Sequence, residues 1–192
     1  MTNAKAKLIE RVLSFWFGAG WAAAEPAARP DWFTPSPDFD GAIARAFGGD
    51  VERAMAGDFA DLTDSPEGSV ALVILLDQFT RNLFRGTARA FSADARARTV
   101  ARRALERGFD LTLPPVMRVF LYLPFEHSED LADQQRSVVL FETLDDAEWL
   151  DYAIRHRDII ARFGRFPHRN VALGRPSTAE EIAFLKTPNS SF

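Results

Sequence analysis

Three short runs of polar side chains hold most of the chemistry this chain can offer. Asp77-Gln78-Phe79-Thr80-Arg81-Asn82 sets a carboxylate four residues before a guanidinium, a spacing that pairs them on a helix surface. Glu126-His127-Ser128-Glu129 sets a carboxyl beside an imidazole, and such a pair can move a proton near neutral pH. Arg165-Phe166-Pro167-His168-Arg169-Asn170 gathers two guanidiniums, an imidazole and an amide within six residues. Arginine is the forked donor for carboxylates and phosphates.

Each run also has a structural reading. Asp77 and Arg81 close the most apolar stretch of the chain, residues 70–76. A carboxylate buried there needs a partner to offset its desolvation, so the pair reads as a clamp between helices. Alternatively Arg81, Asn82 and Arg85 face a groove and hold an anion. Glu126 to Glu129 reads as acidic residues in the first turn of a helix, favoured by its dipole. Alternatively Glu126 works with His127 or His168 as an acid–base pair, and Arg81, Arg165 and Arg169 fix an anionic substrate. Residues 124–151 carry nine acidic residues and one Arg, and residues 155–175 carry six Arg and one Asp. Adjacent stretches of opposite sign can pair with each other. His127, His156 and His168 all fall in or beside these stretches. With Glu126, Glu129 or Asp77 they could make a three-His or two-His-carboxylate metal site, but no two of them have ligand spacing on one helix and there is no His-Glu-x-x-His run, so neither a metal nor a cofactor is expected.

Composition bounds the rest. The chain has 192 residues, enough for one domain with a core, and a single domain over residues 1–192 is expected. Apolar residues make up 47% and charged residues 26%, which excludes global disorder. A net charge of −4 argues against generic nucleic-acid binding, and RNA binding through arginine faces is the weakest reading. Cysteine is absent, which excludes disulfides, thiolate metal sites and a cysteine nucleophile. The apolar run 70–76 is too short to span a membrane, and a cytoplasmic protein is expected. Phe occurs 17 times against 2 Tyr, so the rings fill a thick helical core or line a groove.

The elements that must position the three runs are helices. Apolar residues recur at helical spacing over residues 4–17 and 39–56, stopped by Gly18 and Gly57. Ser65-Pro66 starts a helix that is apolar all round and therefore central. It is expected to end at the 77–82 run. Ser92 is expected to cap a helix over 93–107 whose outer face is rich in Arg. A helix from Thr112 and Pro114-Pro115 is expected to break at Pro124. A restart capped by Ser128 should run to residue 144, and Asp146 should cap a helix to residue 163, closed by Gly164. Ser177-Thr178-Ala179-Glu180 reads as a capping box for a last short helix. Strand patterns are nearly absent, and roughly eight helices packing as antiparallel pairs are expected.

Four segments together are distinctive: Val12-Leu13-Ser14-Phe15-Trp16-Phe17, Leu75-Leu76 with the 77–82 run, Tyr122-Leu123-Pro124-Phe125 with the 126–129 run, and Arg162-Phe163-Gly164 with the 165–170 run. In these the chain resembles the bacterial domain-of-unknown-function family 924 over nearly its whole length. It departs where the family pattern has a proline and this chain has Thr80. The resemblance implies a tetratricopeptide-like, right-handed stack of helix pairs and no established activity. Such a stack presents a concave groove. The leading expectation is a non-enzymatic scaffold that binds a peptide or partner protein, with Phe pockets and with Asp77, Arg81, Asn82, Glu126, His127, Arg165, His168, Arg169 and Asn170 as its polar contacts. The alternative is an enzyme of unknown substrate or a protein that binds a small anionic ligand through a Glu/His/Arg cluster, with Glu126, His127 and His168 as candidate catalytic residues.

Overall fold

Short polar signals set where the helices begin and end. In the computed structural model, which describes residues 3–23, 26–188 and 190–191, α1 (Asn3–Phe17) stops at Gly18, at φ 94°. The Ser36 side chain accepts the Phe39 N–H to open α2 (Pro37–Ala56), and Gly57 ends it in the left-handed region. Ser65 caps the start of α3 by accepting the Gly68 N–H, with Pro66 at the first helical position. We number as one helix, α3, the segment Pro66–Val73, the π turn Ile74–Gln78 and the segment Phe79–Leu83. Then follow α4 (Asp94–Glu106), α5 (Pro115–Glu126), α6 (Leu131–Glu142), α7 (Ala147–Phe163) and α8 (Ala179–Phe184). The described residues thus form eight helices, with 70% of the chain helical and no strand.

The central helix ends at Leu83, just past the 77–82 run, and widens at Asp77 on the way: the Phe79 N–H reaches the Ile74 carbonyl. Thr80 supports this passage, with its hydroxyl 2.9 Å from the Leu76 carbonyl and 3.1 Å from that of Asp77. Ser92 is not a cap; its hydroxyl donates to the Arg89 carbonyl and closes the preceding turn. Pro124 lies inside α5 without ending it. Asp130, not Ser128, caps α6, because its carboxylate can accept both the Ala132 and Asp133 N–H groups. The last capping box is shifted by one residue, to Thr178 and Glu181.

The chain forms two compact units, one of residues 1–85 and 89–124, the other of residues 86–88 and 125–192. In the first unit, α3 is the axis. Val70 to Leu76 are all buried, as the all-round apolar pattern requires. The Trp16 ring lies 5.5 Å from both Phe79 and Phe120, and Trp32 lies 4.9 Å from Phe120. Each such ring, fully buried, contributes about 1.5–3 kcal/mol from area removed from water. The connection after α1 is pinned by Trp32, whose indole N–H donates to the Trp16 carbonyl, and by Arg29, which donates to the Phe15 and Trp16 carbonyls. Residues 24–25 of that connection lie outside the described residues. In the second unit, α6 and α7 pack together, and Ile159, Ile160 and Phe166 form a core flanked by Phe163 and Phe184.

Candidate functional site

The 77–82 run builds a clamp inside the first unit. Asp77 sits in the π turn with no exposed surface. Its Oδ1 lies 3.0 Å from Arg81 Nη1, and its Oδ2 accepts from Gln78 Nε2 at 2.6 Å. The Arg81 fork also donates to both oxygens of Asp94, at 3.0 and 3.2 Å, and so ties α3 to α4. Burial opposes the Arg81 charge, yet Asp77 and Asp94 outweigh it and hold the guanidinium above its usual range. Asn82 donates to Asp40 at 2.7 Å, and Arg85 forks onto the same carboxylate at 3.0 Å, tying α3 to α2. Burial would raise the Asp40 pKa, but the Arg85 and Asn82 hydrogen bonds bring it below its usual value. Asp77 and Arg81 thus sit in a closed set of ion pairs, and Asn82 and Arg85, read with Arg81 as contacts to an anion in a groove, are held by Asp40.

The 126–129 and 165–170 runs meet inside the second unit. Glu129 accepts the Phe166 N–H at 2.8 Å and a forked pair of bonds from Arg175 at 2.7 and 2.9 Å. Burial works against the Glu129 charge, but Arg175 and the Phe166 amide overcome it and lower its pKa. Arg165 forks onto Glu181 at 2.6 and 2.9 Å, and Glu181 in turn accepts the Thr178 N–H. Asn170, fully buried, donates to Ser177 and accepts from Arg175. Arg169 is 6% exposed, with its guanidinium 4.6 Å over the Phe166 ring. His168 is half-buried beside the same ring, at 5.5 Å. The acidic stretch is therefore reached through Arg175, a residue the motif reading did not single out. Glu181 was missed because the box was read one residue early.

The densest chemistry of this unit lies where α5 ends and α7 passes. Glu126 and His156 are buried, His127 half so. His156 Nδ1 lies 2.8 Å from the Tyr152 carbonyl and 3.2 Å from Glu126 Oε1, and the His127 and His156 rings are 6.2 Å apart. Burial first, then the neighbouring His127, pushes the His156 pKa well below its usual value. That favours the neutral imidazole beside Glu126 and weakens any ion pair between the two. One ligand atom from each of Glu126, His127 and His156 lies within 4.8 Å of the others. Sequence spacing gave no sign of this, because His156 arrives from a different helix, about thirty residues later. Gln134 of α6 braces the same turn by donating to the Glu126 and Ser128 carbonyls at 2.5 and 2.7 Å.

A third feature lies on the outside of the first unit. Ala95, Arg98, Thr99, Arg102, Arg103 and Glu106 line a shallow groove of about 600 Å³ along α4. They recur three, four, seven, eight and eleven residues after Ala95, one stripe of a helix. Ala97, Val100, Ala101 and Ala104 of the same helix are buried. Among the described residues, no helix is long and apolar enough to cross a membrane.

The sequence model of a family described as "Bacterial protein of unknown function (DUF924)" matches residues 12–189. A solved structure of a protein of unknown function from Agrobacterium tumefaciens is similar, at 41% identity and a TM-score of 0.86. The match covers 95% of this chain and 98% of that one. No curated protein matches the sequence.

Proposed function

Because the chain belongs to the bacterial domain-of-unknown-function family 924, which carries no assigned activity, we propose from its own chemistry that it is a helical binding protein for an acidic peptide segment of a partner. The observation that carries this reading is the arginine stripe of α4. Arg98, Arg102 and Arg103 share one groove with a single carboxylate, Glu106, on a chain whose net charge is −4. Guanidinium forks match carboxylates in geometry as well as sign. Arg81 and Arg165, expected among the ligand contacts, are engaged by Asp77, Asp94 and Glu181. The tetratricopeptide-like stacking of helix pairs belongs to the same proposal, since stacked pairs expose long helix faces of this kind.

A fluorescein-labelled glutamate-rich peptide, titrated with the protein and followed by anisotropy, tests the reading. Saturable binding that weakens about tenfold or more in Arg102→Glu/Arg103→Glu is the expected result. No binding, or equal binding by the variant, overturns it. Equal binding of a single-stranded RNA of the same length overturns the peptide assignment in favour of a general polyanion surface.

A further inference from the structure

We propose that Glu126, His127 and His156 form a binding site for one divalent transition-metal ion of the zinc type. The site lies in the second unit, apart from the arginine stripe, and stands or falls independently of the acidic-peptide reading.

The first support is geometric. Zinc takes nitrogen and oxygen ligands at about 2.0–2.1 Å in tetrahedral array, which places any two ligand atoms about 3.3 Å apart. Glu126 Oε1 and His156 Nδ1 already stand at 3.2 Å. The third ligand atom, from His127, lies within 4.8 Å of both. Closing that gap takes a small turn of His127, the half-buried member of the set. The ion would take the place of the hydrogen now held between Nδ1 and its oxygen neighbours, with the imidazole proton moving to Nε2.

The second support is the kind of donor. Two imidazoles and one carboxylate leave a fourth position open, the donor set of catalytic zinc and related ions. Calcium and magnesium prefer cages built from oxygen, and nitrogen ligands select against them.

The third support is a buried acceptor at the same turn. Gln134 is fully buried, and its Nε2 holds the Glu126 and Ser128 carbonyls. Its Oε1 has no hydrogen-bond partner. A buried amide oxygen without a donor is destabilising, and a protic group entering this turn with the ion would relieve it.

The test uses the whole chain, stripped with a chelator and dialysed. Zinc titration by calorimetry is expected to give one ion per chain, with a higher thermal midpoint in the loaded protein. Cobalt substitution is expected to give visible absorption of a low-coordinate site. His127→Ala, at a half-exposed position the fold tolerates, should bind zinc at least about 100-fold more weakly while keeping its helical circular dichroism. Glu126→Gln should weaken binding in the same direction. Four results would overturn the assignment: no saturable zinc binding by the stripped chain, unchanged affinity in His127→Ala, unchanged affinity in Glu126→Gln, or binding of magnesium as tight as that of zinc.

Discussion

Asp77 shows how one buried carboxylate constrains its neighbours. Both of its oxygens are engaged, one by Arg81 and one by Gln78, and it has no exposed surface. Arg81→Ala removes the cation and leaves the Asp77 carboxylate buried without it. The expected loss is about 3–5 kcal/mol in urea unfolding, the cost of stranding a buried charge. A loss below about 1 kcal/mol would show that solvent reaches the pair and that it acts as a surface bridge. Glu181 gives a prediction in pH. The Arg165 hydrogen bonds, then the Thr178 N–H, push its pKa down to about 2. An unfolded Glu titrates near about 4.3. A folded value below the unfolded one makes its contribution full above about pH 4.3, and it is lost as pH falls through about 2. Glu181→Gln should therefore melt at a lower temperature than the parent at pH 7, and calorimetry should find the two midpoints drawing together between about pH 4 and pH 2. The i, i+4 spacing made the Asp77–Arg81 pair legible in the sequence. Its third member, Asp94, was not, because which helix packs beside α3 is a tertiary fact. The same limit hid His156 from the Glu126–His127 run.

At the scale of elements, the helix ends were the most legible feature where a single residue decides the backbone. Gly57 and Gly164 take positive φ, and Ser65 and Asp146 accept N–H groups at helix starts. The misplacements came where two residues competed for one role. Ser128 and Asp130 both suit a cap, and Asp130 holds two N–H groups while the Ser128 hydroxyl donates to Asp133. Pro124 was read as a break, yet a proline in a packed helix costs only the bond it cannot make when burial of its neighbours outweighs it; Leu123 and Phe125 are both buried. Gly68 carries the prediction for this scale. A Cβ built there would stand 2.2 Å from the Leu62 carbonyl oxygen, so the turn Ala60–Asp64 must move to admit it. Gly68→Ala should destabilise by about 1–3 kcal/mol despite alanine's better helix propensity. A stabilised variant in denaturant titration would show that the turn yields freely.

Across the whole molecule, charge is distributed against its own average. The chain carries −4 overall, with a pI near 5.4, while α4 turns Arg98, Arg102 and Arg103 to one groove. Net charge repels an acidic peptide at long range, and the groove attracts it at short range. Salt screens both, with a Debye length of about 10 Å at 0.1 M. The anisotropy titration should therefore weaken steadily as sodium chloride rises from about 0.1 to 1 M, where the screening length is about 3 Å. Affinity that holds or grows over that range would show that apolar contacts carry the binding. The all-helical class was legible at this scale because periodicity near 3.6 recurs along the chain and alternation does not. The excess of Phe was legible too: rings from α2, α3 and α5 close on Trp16. The division into two units was not, since composition does not change where one gives way to the other.

The widened turn at residues 74–78 also bears on chain length. A regular helix turns about 100° per residue, so losing one residue from α1 or α2 would swing every later side chain off its face. The π turn instead spends one residue more than an α turn over the same arc, as the Phe79 to Ile74 bond records. A deletion between Ile74 and Leu76 would let ordinary helix re-form, leaving the caps at Ser65 and the carbonyls near Leu83 in phase. This core helix thus has a place where an alignment gap is mechanically tolerable, and it sits one step before the Asp77 clamp. A shortened relative would keep its apolar faces in register and would have to reset the bonds of Arg81 to Asp94 and of Asn82 and Arg85 to Asp40.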